Sequence, residues 1–155
     1  MIAKNMKRIT MSVDDELASQ FEAWVKREGY ENRSEAFRDL VRHKLDATSI
    51  AEGNARNCVA TVSYIYNHHE RHLAARLMDA QHSHHDLTLS AMHAHLDHDD
   101  CIETLILRGP TERVTAFART VIAEKGVRHG QINIIPVRVG KHGARAHHDH
   151  VHPLT

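Results

Sequence analysis

Residues 7–13 read KRITMSV, a run in which Ile9, Met11 and Val13 alternate with Arg8, Thr10 and Ser12. Alternation of period two makes a strand with one apolar and one polar face. A lone strand of this length is not stable in water and needs a partner. The segment therefore demands a pairing before anything downstream of it is considered.

The period changes at once after the strand. Asp14, Asp15 and Glu16 stand where a helix start favours acids, and Leu17, Phe21, Trp24 and Val25 form one apolar stripe up to a stop at Gly29. A second helix is predicted after Tyr30, with Asn32 as its N-cap, Glu35 three residues on, and Phe37, Leu40, Val41 and Leu45 as its stripe. Residues 47–57, small and polar, read as a linker.

Beyond the linker, residues 58–66 are β-branched and aromatic, a strand, and residues 70–81 carry a helical stripe of Leu73, Ala74, Leu77 and Met78. Strands follow at 88–97 and 101–108, joined by a turn at Asp97–Asp100. Thr111 opens a helix with the stripe Val114, Phe117, Val121 and Ile122, and 131–137 is a last strand. The order βαββαβ is the ferredoxin-like split βαβ. The fold class is thus α+β. A strand–helix–helix unit over 1–47 leads through a linker at 48–57 to a βαββαβ domain over 58–137, and an unstructured tail is expected over 138–155.

Formal net charge is zero, so no global field draws the chain to nucleic acid, but Lys4, Lys7 and Arg8 form a basic stretch before Ser12 without an acid among them. Two cysteines, Cys58 and Cys101, make no disulfide framework. No stretch approaches the ~20 apolar residues of a membrane span, and the expected location is the cytoplasm, where thiols stay reduced. Histidine is over-represented, with 16 residues concentrated between His68 and His98 and again from His142 through His147, His148, His150 and His152.

Two constellations carry chemistry. Two copies of the first unit can pair their strands into a ribbon that fits the DNA major groove, with Arg8, Thr10 and Ser12 facing base edges and Asn32, Arg33 and Ser34 offering helix N–H groups to phosphate. The competing reading is a dimerisation hairpin with no DNA role. The second constellation is His93-x-His95-x5-Cys101. Residues two apart on a strand share a face, so both imidazoles project together while Met92, Ala94 and Leu96 are expected to turn into a core. The turn brings Cys101 beside them. Three donors suit zinc with a fourth ligand, nickel or copper in a plane, or no metal at all, as surface histidines beside a buried cysteine.

KRITMSVDDEL followed by GYENRSEAFRDLVR resembles a bacterial ribbon–helix–helix repressor, and QHSHHDLTLSAMHAHLDHDDCIE is similar to the signature of the nickel-responsive regulator family. The resemblance runs from about Lys7 to Pro136. It implies a homotetramer with an ACT-like core flanked by DNA-binding dimers. It implies nickel, one ion per subunit, held in a plane by His93, His95 and Cys101 of one chain and His82 of a neighbour. It also implies a second cation site for potassium at Glu35 and Asp39, two carboxylates that read equally well as a solvated helix face. The function so implied is a nickel-dependent repressor acting at double-stranded operator DNA. Alternatives are a sensor of copper or zinc, a ribbon–helix–helix antitoxin, or an ACT-type small-molecule binder. No catalytic constellation is present in the sequence, and an enzyme is not expected.

Overall fold

A computed structural model describes residues 7–70, 72–140 and 150–155. The chain divides into two compact units, one ending at His43 and the other running from Lys44 to Thr155.

The first unit contains α1 (Asp15–Arg27) and most of α2 (Arg33–Ala51). Asp14 caps α1 by accepting the Leu17 N–H at 2.8 Å, while Lys26 and Arg27 meet its negative end. Gly29 takes the left-handed conformation that closes a helix, φ +77°, with the Tyr30 N–H reaching back to the Val25 carbonyl. Asn32 caps α2 by accepting the Glu35 N–H at 2.9 Å. The strand predicted over residues 7–13 is in no ladder, because its hydrogen-bond partners are not supplied by the described chain. Ile9, Met11, Val13, Leu17, Leu40 and Val41 are all exposed, and within the two helices only Val25 and Ala36 are buried. So small a unit has too little interior to hide its own stripes.

The second unit contains β1 (Asn57–Asn67), α3 (Leu73–Ser83), β2 (Thr88–His95), β3 (Asp100–Pro110), α4 (Thr111–Ile122), β4 (Arg128–Gly140) and β5 (His150–Pro153). The sheet order is β2-β3-β1-β4-β5, antiparallel throughout, so the βαββαβ reading holds and one strand is added at its end. Along β1 burial alternates strictly, with Cys58, Ala60, Val62, Tyr64 and Tyr66 inward. They pack with Leu105 and Leu107 of β3, Leu73 and Leu77 of α3, and Val114, Phe117 and Val121 of α4. Each large apolar side chain in this core contributes about 1.5–3 kcal/mol.

Three expectations are corrected. The linker placed at 48–57 is shorter, because α2 continues to Ala51 and half-buries Ile50 before Gly53 turns at φ +68°. The tail is not unstructured from Arg138: β4 runs to Gly140, and β5 pairs Val151 with Val139 and His152 with Arg138. That pairing uses backbone groups, which leave no periodic trace in a histidine-rich sequence. His142, His147 and His148 lie outside the described residues. Finally, Met92, Ala94 and Leu96 are not core: Met92 is 68% and Leu96 54% exposed. Both helices cover the other face of the sheet, and β2 lies at its edge.

Candidate metal centre and nucleic-acid face

The β2–β3 hairpin places the donors by register. His95 pairs with Cys101 and His93 with Glu103; across the next ladder Tyr66 pairs with Cys101 and Tyr64 with Glu103. Directly opposed residues share a face, so two rows, His95–Cys101–Tyr66 and His93–Glu103–Tyr64, lie side by side on the helix-covered face. The turn between the strands is pinned by Asp97, whose carboxylate accepts the N–H groups of Asp99 and Asp100, both at 2.8 Å. Those bonds, the one from Asp100 first, hold the Asp97 carboxyl below its usual range. Arg128 pairs with Asp100 at the base of the turn.

Cys101 is fully buried, and its Sγ lies 3.2 Å from His95 Nδ1. Burial pushes its thiol up, helped by the carboxylates of Asp100, Asp97 and Glu103. His93 stands beside this pair, 5.0 Å from His95 between ring centroids. Its Nδ1 is 3.3 Å from the Tyr66 hydroxyl and 3.7 Å from Glu103 Oε2. Burial, then the Glu103 charge, pushes Tyr66 up to about 12, so it keeps its proton and donates it to Glu103 Oε2 at 3.3 Å. With that single hydrogen spent, the phenol oxygen accepts from His93 Nδ1–H, and Nε2 is left as the donor for a metal. Gln81 donates to the other Glu103 oxygen at 2.5 Å.

His82 does not join these donors within the described chain. It lies exposed on α3, in a shallow depression with Met78, Gln81, His85 and Thr88. Its neighbours are differently engaged: His84 stacks on Phe117 at 4.2 Å with Nδ1 on the Ala80 carbonyl, and His85 Nδ1 contacts the His82 carbonyl. Cys58 is buried at the start of β1, away from the histidines, and burial raises its thiol.

Four residues of the centre went unremarked in the sequence. Tyr66, Gln81 and Glu103 form the polar backing just described. The fourth is His68, whose Nδ1 lies 3.2 Å from Cys101 Sγ. The residue after β1 must fall beside the β2–β3 turn, since Asn67 pairs with Asp100; that register was the only signal available. Two imidazoles and a soft thiolate fit a late first-row transition metal, so the chemistry of the donor set accommodates nickel; among the described residues the donor atoms that converge are those of His68, His95 and Cys101, with the His93 ring beside them.

On the first unit, Arg8, Thr10 and Ser12 are exposed, as are Asn32, Arg33 and Ser34 at the start of α2. Arg33 rests on Glu22 of α1 at 2.6 Å, an exposed pair worth little. Glu35 and Asp39 lie one turn apart on α2, and Asp39 accepts from Arg42 at 2.8 Å.

Two family models match the chain. One, described as the NikR C-terminal nickel-binding domain, covers residues 59–135. The other, described as a ribbon-helix-helix protein of the copG family, covers residues 7–48. A nickel-responsive regulator of Edwardsiella ictaluri is 43% identical over 147 residues, 95% of this chain and 99% of that protein. Nickel-responsive regulators of Brucella abortus and Brucella suis are 43% identical over 132 residues, 85% of this chain and all of theirs. No helix among the described residues is long and apolar enough to cross a membrane.

Proposed function

From the premise that the chain belongs to the family of nickel-responsive, DNA-binding transcriptional regulators and is not an enzyme, we propose that its nickel is held by His93, His95 and Cys101 of one subunit and His82 of another, in a homotetramer. The observation that carries this reading is the three-donor set on the β2–β3 hairpin at a sheet edge, with His82 standing apart on α3 of the same chain. Apolar surface supports the assembly. Leu89, Met92, Leu96 and Ile106 are exposed around the hairpin, and Ile9, Met11 and Val13 are exposed on the ribbon segment. An arrangement of subunits that completes the metal site binds nickel better than any other, so nickel shifts the population toward it, and the same arrangement presents the ribbons to the operator as a repressor. Arg8, Thr10 and Ser12 read bases, while Asn32, Arg33 and Ser34 hold phosphate. A second cation site for potassium would rest on Glu35 and Asp39, completed by donors from outside α2. A repressor acting at operator DNA works in the cytoplasm.

Complementation between variants tests the shared site. His82→Ala and Cys101→Ala proteins should each fail to form the planar, diamagnetic nickel centre. Refolded together at equal amounts, they should recover it in about a quarter of the sites, because each supplies what the other lacks. Recovery of nothing, with sedimentation showing a metal-loaded monomer, would sink the assembly.

The raised Cys101 thiol sets the pH dependence. Metal-free, it keeps its proton at neutral pH, and coordination must expel that proton. Apparent nickel affinity should therefore fall as pH falls, by about tenfold per unit for one proton released. Competition against a chelator of known proton affinity would measure the slope, and a flat profile would mean the thiolate is not a ligand.

A further inference from the structure

The covalent path from the metal centre to the ribbon segment of the same chain is one continuous helix. α2 runs from Arg33 to Ala51, and the boundary between the two compact units falls inside it, between His43 and Lys44. A hydrogen-bonded helix carries its direction along its length, so whatever grips its last turns aims the rest. We propose that Thr155, acting through Asp46, is a positioning residue for operator binding: residues 150–155 form a clasp that ties the end of α2 to the edge of the sheet.

The clasp is laid down along β4. β5 pairs Val151 with Val139 and Pro153 with Val137, which is itself buried. Pro153 has no N–H to donate. One residue on, the Leu154 N–H reaches the Pro136 carbonyl at 3.1 Å, which keeps the segment on the edge. The Thr155 hydroxyl then donates to Asp46 Oδ1 at 3.0 Å. Leu154, Thr155 and Asp46 are half-buried, whereas Leu45 and Ala47 on either side of Asp46 are exposed. The bond is therefore partly shielded from water that would compete for both groups.

Among the described residues this is the only side-chain hydrogen bond from α2 to any residue beyond Asn54. The helix ends by closing on itself. The Ser49 carbonyl accepts the N–H groups of Asn54 and Ala55 at 2.9 and 3.1 Å. Ala55 is buried and anchors the chain just past the helix. A single anchor leaves a helix free to pivot; a second one, at Asp46 within the helix, removes the pivot. Freedom that must be lost on binding opposes binding, so a helix already clasped meets the operator with a smaller entropic penalty. This consequence rests on the proposed reading of the ribbon as the DNA-binding element; the hold on α2 does not.

The test is operator titration of the nickel-loaded, full-length protein. Thr155→Val keeps the shape and removes the hydroxyl, and should weaken operator binding by about three- to tenfold, the range for one hydrogen bond. Thr155→Ser restores the hydroxyl and should restore affinity. Asp46→Ala should match Thr155→Val, and the double variant should be no worse than either alone, because both remove the same bond. The thiolate-to-nickel band and nickel affinity should stay as in wild type throughout. Amide hydrogen exchange over residues 46–51 should quicken in Thr155→Val and not in Thr155→Ser. Operator affinity unchanged or raised in Thr155→Val, losses that add in the double variant, or a nickel affinity that falls with them would each overturn the positioning role. A wild-type protein that ignores operator DNA when nickel is bound would overturn the DNA-binding reading instead, and the exchange rates alone would then decide whether the clasp holds α2.

Discussion

Cys101→Ala should abolish the thiolate-to-nickel charge-transfer band and, with it, nickel-stimulated DNA binding. The sulfur is fully buried at the centre of the donor cluster and makes contact with two imidazoles, so no other side chain can take its place. Loss of an outer-shell partner already costs about 10–100-fold in metal affinity, and loss of the thiolate itself should exceed that. The matched control is Cys58→Ala, which removes an equally buried thiol from the far end of β1 and should leave the spectrum unchanged. His84→Ala and His85→Ala should also retain the band, since those rings are engaged with Phe117, Ala80 and the His82 carbonyl. Absorption spectroscopy of nickel-loaded protein and gel-shift titration with operator DNA read the two effects. A band that survives Cys101→Ala would move the nickel to another part of the histidine-dense surface.

Arg8→Ala should cost about 1–3 kcal/mol of operator binding, the range for one bidentate contact to guanine, and should relax preference at a single base position. The side chain is exposed on the polar face of the ribbon segment, alternating with Ile9, Met11 and Val13. The alternation makes Ile9→Lys an instructive companion: it changes the opposite face and should weaken dimerisation rather than base preference. Operator affinity of all variants should fall steeply with salt. Fluorescence anisotropy with operator and scrambled duplexes separates the two behaviours. Unchanged discrimination in Arg8→Ala would show that the ribbon does not read the bases.

Much of this was legible in the sequence. Period two, then 3.6, then the alternation of the two, was enough for the two helices of the first unit and for the βαββαβ order, whereas the strand read over residues 7–13 is in no ladder of the described chain. Residues two apart on a strand, followed by a turn of fixed length, were enough to bring His93, His95 and Cys101 to one face. His68 was not legible, because its approach to Cys101 depends on β1–β3 register, a pairing of residues more than thirty positions apart. Glu103 was hidden in a different way. It alternates correctly as an inward residue of β3, and only the fold shows that its buried carboxylate, 7% exposed, is met by Tyr66 and Gln81. Pattern also misjudged β2. Alternation says that a strand has two unlike faces, but not which one the helices will cover, nor that the strand will end up at an edge.

β5 gives the sheet an asymmetry of valence. On one side the sheet ends in a strand of four residues that closes on Pro153, which has no N–H to offer. On the other side it ends in β2, eight residues long and unpaired along its outer edge among the described residues. Short, proline-bearing edges resist further pairing, whereas long bare ones invite it. A block with two reactive ends can polymerise without limit; a block with one can only find its twin and stop. Two copies meeting through β2 would consume each other's free edge and close into a two-fold pair.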